Sequence, residues 1–116
     1  MNAGEFEDFF SRNGLIYMVI GDLSSGDGCS LGDASPLTPN GLIALVSDLH
    51  TLDSSLPGQV LPTGYSQGRE GCFVTKPTAS TIAVLFYFST RETFEEELTW
   101  GREMERELRE LLTSAT

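Results

Sequence analysis

The segment GCFVTKPTASTIAVLFYF, Gly71 to Phe88, decides the fold. It holds two apolar, β-branched runs, Cys72–Lys76 and Thr81–Phe88, joined through Pro77–Ser80, which reads as an antiparallel hairpin. Thr81–Phe88, rich in β-branched and aromatic residues, is the clearest strand of the chain. Upstream, Gln67–Gly71 reads as a polar hairpin turn. Before it comes a strand beginning at Gln59–Leu61, and Pro62, which lacks a backbone donor, places that strand at an edge or a bulge.

Downstream, Ser89-Thr90-Arg91-Glu92 fits a capping box, with Ser89 as the cap and Glu92 reaching back. A long helix to about Leu112 follows, with Phe94, Leu98, Gly101, Met104, Leu108 and Leu111 as the buried stripe and Trp100 beside it. Glu95–Glu97 suit the positive end of its dipole, and Glu105 with Arg109 makes a favourable i,i+4 pair.

The first half of the chain supplies the remaining elements. Residues 2–12 read as a short helix with Phe6, Phe9 and Phe10 on one stripe, stopped by Asn13-Gly14. Leu15–Ile20 (LIYMVI) is an unbroken apolar run of strand length, expected to be covered on both faces. Gly21–Pro36 is rich in Gly, Ser and Asp and long for a connection; a weak strand near Cys29–Leu31 is expected there, the rest being turn or mobile loop. Thr38-Pro39 has the chemistry of a helix start, followed by the stripe Leu42, Leu45, Val46, Leu49 and Leu52, with Ser54–Gly58 as the stop. These elements make an α+β chain in the order helix, strand, weak strand, helix, three strands, helix. No repeat or linker divides it, so one domain over 1–116 is expected.

Composition excludes several classes of function. The net charge is −10 and Lys76 is the only lysine, so the clustered cations that release counterions from nucleic acid are missing, and anionic lipid is equally disfavoured. The first reading of the acidity is solubility; the second is a basic partner. No run is long enough to span a bilayer, and acids occupy the N-terminal stretch where a signal peptide carries positive charge, so a cytoplasmic location is expected. Cys29 and Cys72 make no metal motif with the one histidine, and two free thiols are the simpler reading, with a disulfide as the alternative.

Chemistry is as sparse as the motifs. His50 follows Asp48 on the expected central helix, where a lone histidine is commonly structural or exposed. The glycines of Gly26–Gly32 lack the G-x-G-x-x-G spacing and no G-K-[ST] is present. Asp22, Asp27 and Asp33 miss the calcium-loop spacing. The expectation is therefore no catalytic, cofactor-binding or metal-binding residue, no cofactor, and no enzyme activity.

In order and pattern the chain resembles the roadblock/LC7 family. The matching segments are GLIYMVIGD, PNGLIALVSDLHTL, QVLPTGY and GCFVTKPTASTIAVLFYFST, the last running into the final helix. The resemblance implies a single five-stranded antiparallel sheet with flanking helices, in the order α-β-β-α-β-β-β-α, and dimers that join third strands and central helices into a continuous sheet. It also implies a role in regulating or scaffolding a small Ras-like GTPase. A homodimer is expected on a second ground, because the stripes Phe6/Phe9/Phe10 and Leu42/Leu45/Leu49 offer more apolar helix face than one small sheet covers. The alternative is an acidic chaperone, immunity protein or inhibitor that caps a basic partner.

Overall fold

The computed structural model describes residues 1–89 and 93–114. The five strands are β1 (Tyr17–Asp22), β2 (Gly28–Gly32), β3 (Thr63–Gln67), β4 (Glu70–Thr75) and β5 (Thr81–Phe88). They form one sheet in the order β2-β1-β5-β4-β3, and every neighbouring pair is antiparallel. Two short helices and one long one flank it: α1 (Glu7–Arg12), entered through a 3-10 turn at Ala3–Phe6; α2 (Leu49–Ser54), entered through a 3-10 segment at Leu42–Ser47; and α3 (Phe94–Ser114). The expected α+β class and element order are present.

Alternation along the strands sends side chains to two cores. Met18 and Ile20 of β1, Phe73 of β4, and Ala83, Leu85 and Tyr87 of β5 pack with Phe6, Phe9, Trp100, Met104 and Leu108. On the other face, Cys72, Val74, Ile82, Val84 and Phe86 pack with Leu37, Leu52 and Leu56. The register puts Leu85 between Met18 and Phe73, so one apolar row crosses the sheet beneath α3. Phe73 stacks on Tyr87 at 5.4 Å, and Trp100 stands edge-on to both rings. Gly101 allows this, since a Cβ there would lie 2.8 Å from the Phe73 ring. Trp100 Nε1 donates to Asn13 Oδ1 at 2.9 Å and Arg12 pairs with Glu107 at 2.8 Å, tying α1 to α3.

Several sequence expectations need correction. The central helix is not continuous. Leu42–Ser47 is a 3-10 segment, Asp48 is extended (φ −150°, ψ 103°), and only Leu49–Ser54 is α-helical. Asp48 causes the break: its carboxylate accepts from the N–H groups of His50 and Thr51, so it caps a helix that starts there. Thr38 does not cap this segment, because its N–H and hydroxyl both donate to Glu70 across the loop.

The third strand begins after Pro62, not at Gln59, and the Leu61–Pro62 bond is cis. The turn that follows is shorter than expected, since Gln67 already pairs with Glu70. β1 is covered fully on one side only: Met18 and Ile20 are buried, while Tyr17 and Val19 are half-buried. Gly21–Pro36 is in large part a hairpin, with Gly28–Gly32 paired to Tyr17–Gly21.

The capping box falls partly on residues 90–92, outside the described residues. Thr93 caps α3 by accepting from the Glu96 N–H at 3.1 Å. The stripe shifts accordingly. Trp100, Met104 and Leu108 are buried, Phe94 is 73% exposed, and Leu98 is half-buried.

The register of α3 can be tested by stability. Leu108→Ala should cost about 2–5 kcal/mol, the range for truncating a fully buried leucine. Phe94→Ser should change stability by less than about 0.5 kcal/mol, as exposed substitutions do. Urea melts giving the reverse ranking would show the helix misplaced.

Candidate protein-binding surface

The residues that sequence singled out for chemistry do not converge on a reactive arrangement. Asp48 precedes His50, but its carboxylate is used in capping: it takes the Thr51 hydroxyl at 2.7 Å as well as the two N–H groups. The Thr51 hydroxyl and N–H hold this carboxyl below the usual carboxylate range. The acids of the β1–β2 hairpin are likewise turn residues. Asp22 accepts from the Ser24 hydroxyl at 2.7 Å and the Ser24 N–H at 2.9 Å, which lowers its pKa. Asp33 accepts from the Ser35 N–H and hydroxyl, with the same effect. Asp27 pairs with the N-terminal ammonium. Among the described residues no group of three or more His, Cys, Asp or Glu side chains is placed to hold a metal.

The two cysteines lie on opposite faces. Cys29 packs against the core under α3 and Cys72 belongs to the other. Their strands are three positions apart in the sheet, roughly 14 Å at normal strand spacing and far beyond disulfide reach. Both are free thiols.

What the fold does assemble is a surface. The face opposite α3 is covered by the segment 33–56, pinned to the sheet at two points. Buried Glu70 holds Thr38, and Lys76 pairs with Asp53 at 2.9 Å. Leu49 also sits directly over Gly21, where a Cβ would meet its Cδ1 at 2.9 Å. Because this cover is short and broken, Leu42, Ile43, Leu45, Val46 and Leu49 stay only partly buried. The 3-10 segment packs beside β3 and β4. β3 itself is an edge, hydrogen-bonded to β4 alone, so one side of its backbone is unpaired.

Of the two stripes expected at a dimer seam, only one is open, which corrects half of that expectation. Phe6 and Phe9 are each 1% exposed and belong to the core; the leucines of 42–49 remain. Sequence reasoning missed Glu70, read as part of a polar turn. Its signal was its place two residues before the apolar run Cys72–Lys76, which puts it in the ladder. Sequence also missed the solvent exposure of Phe94.

An antiparallel five-stranded sheet with a long C-terminal helix on one face and a short central helix on the other is the roadblock-like fold, as the sequence pattern implied. Solved structures that share it include three of MglB. The gliding protein MglB of Thermus thermophilus aligns with a TM-score of 0.62 and 14% identity, over 93% of this chain and 85% of that one. Myxococcus xanthus MglB gives 0.57 and 13%, over 97% and 88%. An MglB with tetrameric arrangement gives 0.62 and 16%, over 97% and 88%. At these identities the likeness is one of fold. No protein-family model matches the chain, and no curated protein sequence does. Among the described residues no helix is long and apolar enough to cross a membrane.

Two predictions come from this geometry. Burial pushes the Cys72 thiol up to about 12, so it holds almost no thiolate at neutral pH. Iodoacetamide on the native protein should modify Cys29, which is half-buried, well before Cys72, as read by peptide mass; equal labelling would contradict the placement of β4.

The second concerns Asp48. Its pKa is lower folded than unfolded, so it stabilises the fold above the ordinary carboxylate value of about 3.9, and this is lost as pH falls through the folded value. Asp48→Asn keeps a capping oxygen without the titration. The gap in urea midpoint between wild type and variant should therefore narrow on acidification. A constant gap would remove the cap from the account.

Proposed function

We propose that the chain is a roadblock-type protein-binding module, one domain without catalysis of its own. In this reading it acts as a homodimer in the cytoplasm and regulates or scaffolds a small Ras-like GTPase. The observation that carries this is the pairing of an open edge strand, Thr63–Gln67, with the incompletely buried residues Leu42–Leu49 beside it. The roadblock resemblance implies dimers through those same two elements, third strand and central helix. Pro62 lies ahead of β3, so every residue of the strand keeps its own N–H. A second copy would extend the sheet through this edge and cover the leucines, which supplies what one chain lacks.

The GTPase part of the reading rests on the same resemblance and on the shared fold with MglB structures. The acidic charge is compatible with it. A chain with 17 acidic residues against 7 basic ones favours partners presenting a basic patch and disfavours nucleic acid.

Sedimentation velocity at micromolar concentration should show a species of twice 12.6 kDa. The Leu45→Glu/Val46→Glu variant should return it to the monomer with its circular dichroism retained. The dimer should bind a Ras-like GTPase from the same organism with different affinity in the GDP and GTPγS forms, read by calorimetry. A wild-type monomer, or a GTPase that binds neither form, would overturn the corresponding half of the proposal.

A further inference from the structure

Val60 and Phe94 are the large apolar side chains left most open to solvent among the described residues, at 81% and 73%. Far apart in sequence, they flank one groove of about 220 Å³ between the start of β3 and the first turns of α3. Gly64, Phe73, Leu98 and Arg102 also line it. A single exposed apolar side chain needs no explanation, but two that converge on one groove mark a place where something binds.

The charges beside the groove set the chemistry of the ligand. Arg12, Lys76 and Arg109 are each in an ion pair, and Arg69 lies over the Phe88 ring. Arg102 and Arg106, one turn apart on the exposed side of α3, make no ion pair among the described residues. In a chain of net charge −10, two neighbouring guanidinium groups without carboxylate partners are out of keeping with the rest of the surface. Glu103 borders them, but Glu95 and Glu96 line a different depression, with Trp100.

We propose that this groove is a docking site for an extended segment of a partner protein, one that carries a large apolar side chain flanked by carboxylates. The apolar side chain enters between Val60 and Phe94 over Gly64, and the carboxylates take the planar forks of Arg102 and Arg106. The field of the whole chain opposes an acidic ligand at long range, but salt screens it beyond about 8 Å, while the two guanidinium groups act in contact. A second copy of the chain fits less well, because a two-fold contact would set the same cationic patch against itself. The groove includes Thr63 and Gly64 of the β3 edge, so it borders the dimer seam proposed above, although none of Leu42–Leu49 lines it.

A random twelve-residue display library selected on the wild-type protein provides the test. Enriched peptides should combine Leu, Phe or Trp with Asp or Glu. Synthesised and labelled, they should lose at least about tenfold in affinity, as for a lost charge-assisted contact, on Arg102→Glu/Arg106→Glu. They should lose affinity likewise on Val60→Ser/Phe94→Ser, which probes the apolar half separately and serves if the charge reversal impairs folding. Sedimentation should be unchanged by either variant. Enrichment of basic peptides, no enrichment, or unchanged affinity on a folded variant would overturn the proposal. So would a loss of self-association in the charge-reversed protein, which would make the groove a contact between copies.

Discussion

β5 must be covered on both faces, and that requirement organises the molecule. From Thr81 to Tyr87 every residue is buried, since β1 and β4 flank it and its side chains alternate between two cores. A strand so placed needs a layer above and a layer below. α3, at 21 residues, supplies one of them together with Phe6 and Phe9 from the start of the chain. The other is assembled from a loop, a 3-10 segment and a six-residue helix.

Both layers are also tied down by polar contacts. On the α3 side these join Trp100 to Asn13, Arg12 to Glu107, Thr75 to Glu105 and Arg109 to the Pro77 carbonyl. On the other side they are Thr38 on Glu70, and Asp53 on Lys76. A buried carboxylate is tolerated at Glu70 because two donors from one residue satisfy it, whereas an unsatisfied one would be costly. The thin layer is also where Leu42, Ile43, Leu45, Val46 and Leu49 stay only partly buried.

The sheet is legible in the sequence where composition and period agree. Thr81–Phe88 has the right boundaries because β-branched and aromatic residues fill it between turn residues. The order of elements follows, and so do Met104 and Leu108 in the core. The central helix is misread because Leu42, Leu45, Val46, Leu49 and Leu52 keep helical spacing across a break that Asp48 makes by hydrogen bonding, and spacing does not register a cap inside a run. Phe94 is misread because helical periodicity fixes which residues share a stripe but not where along the helix the sheet ends. The surface between β3 and the central segment is legible only through the family resemblance, because edges and half-burial are properties of the assembled sheet.

The β1–β5 ladder has a consequence for how the chain comes together. β1 and β2 are joined by a tight hairpin, and β3, β4 and β5 form a meander, so each set pairs locally. The rungs from Asp22↔Thr81 to Tyr17↔Phe86 join the sets, across more than half of the chain. Contacts of such long sequence separation require loop closure before they give any return, which makes them the slow part of assembly. The hairpin and the meander are thus two local units whose docking completes the sheet, and until it does, the β1 side of β5 is a second open edge, longer and more apolar than β3.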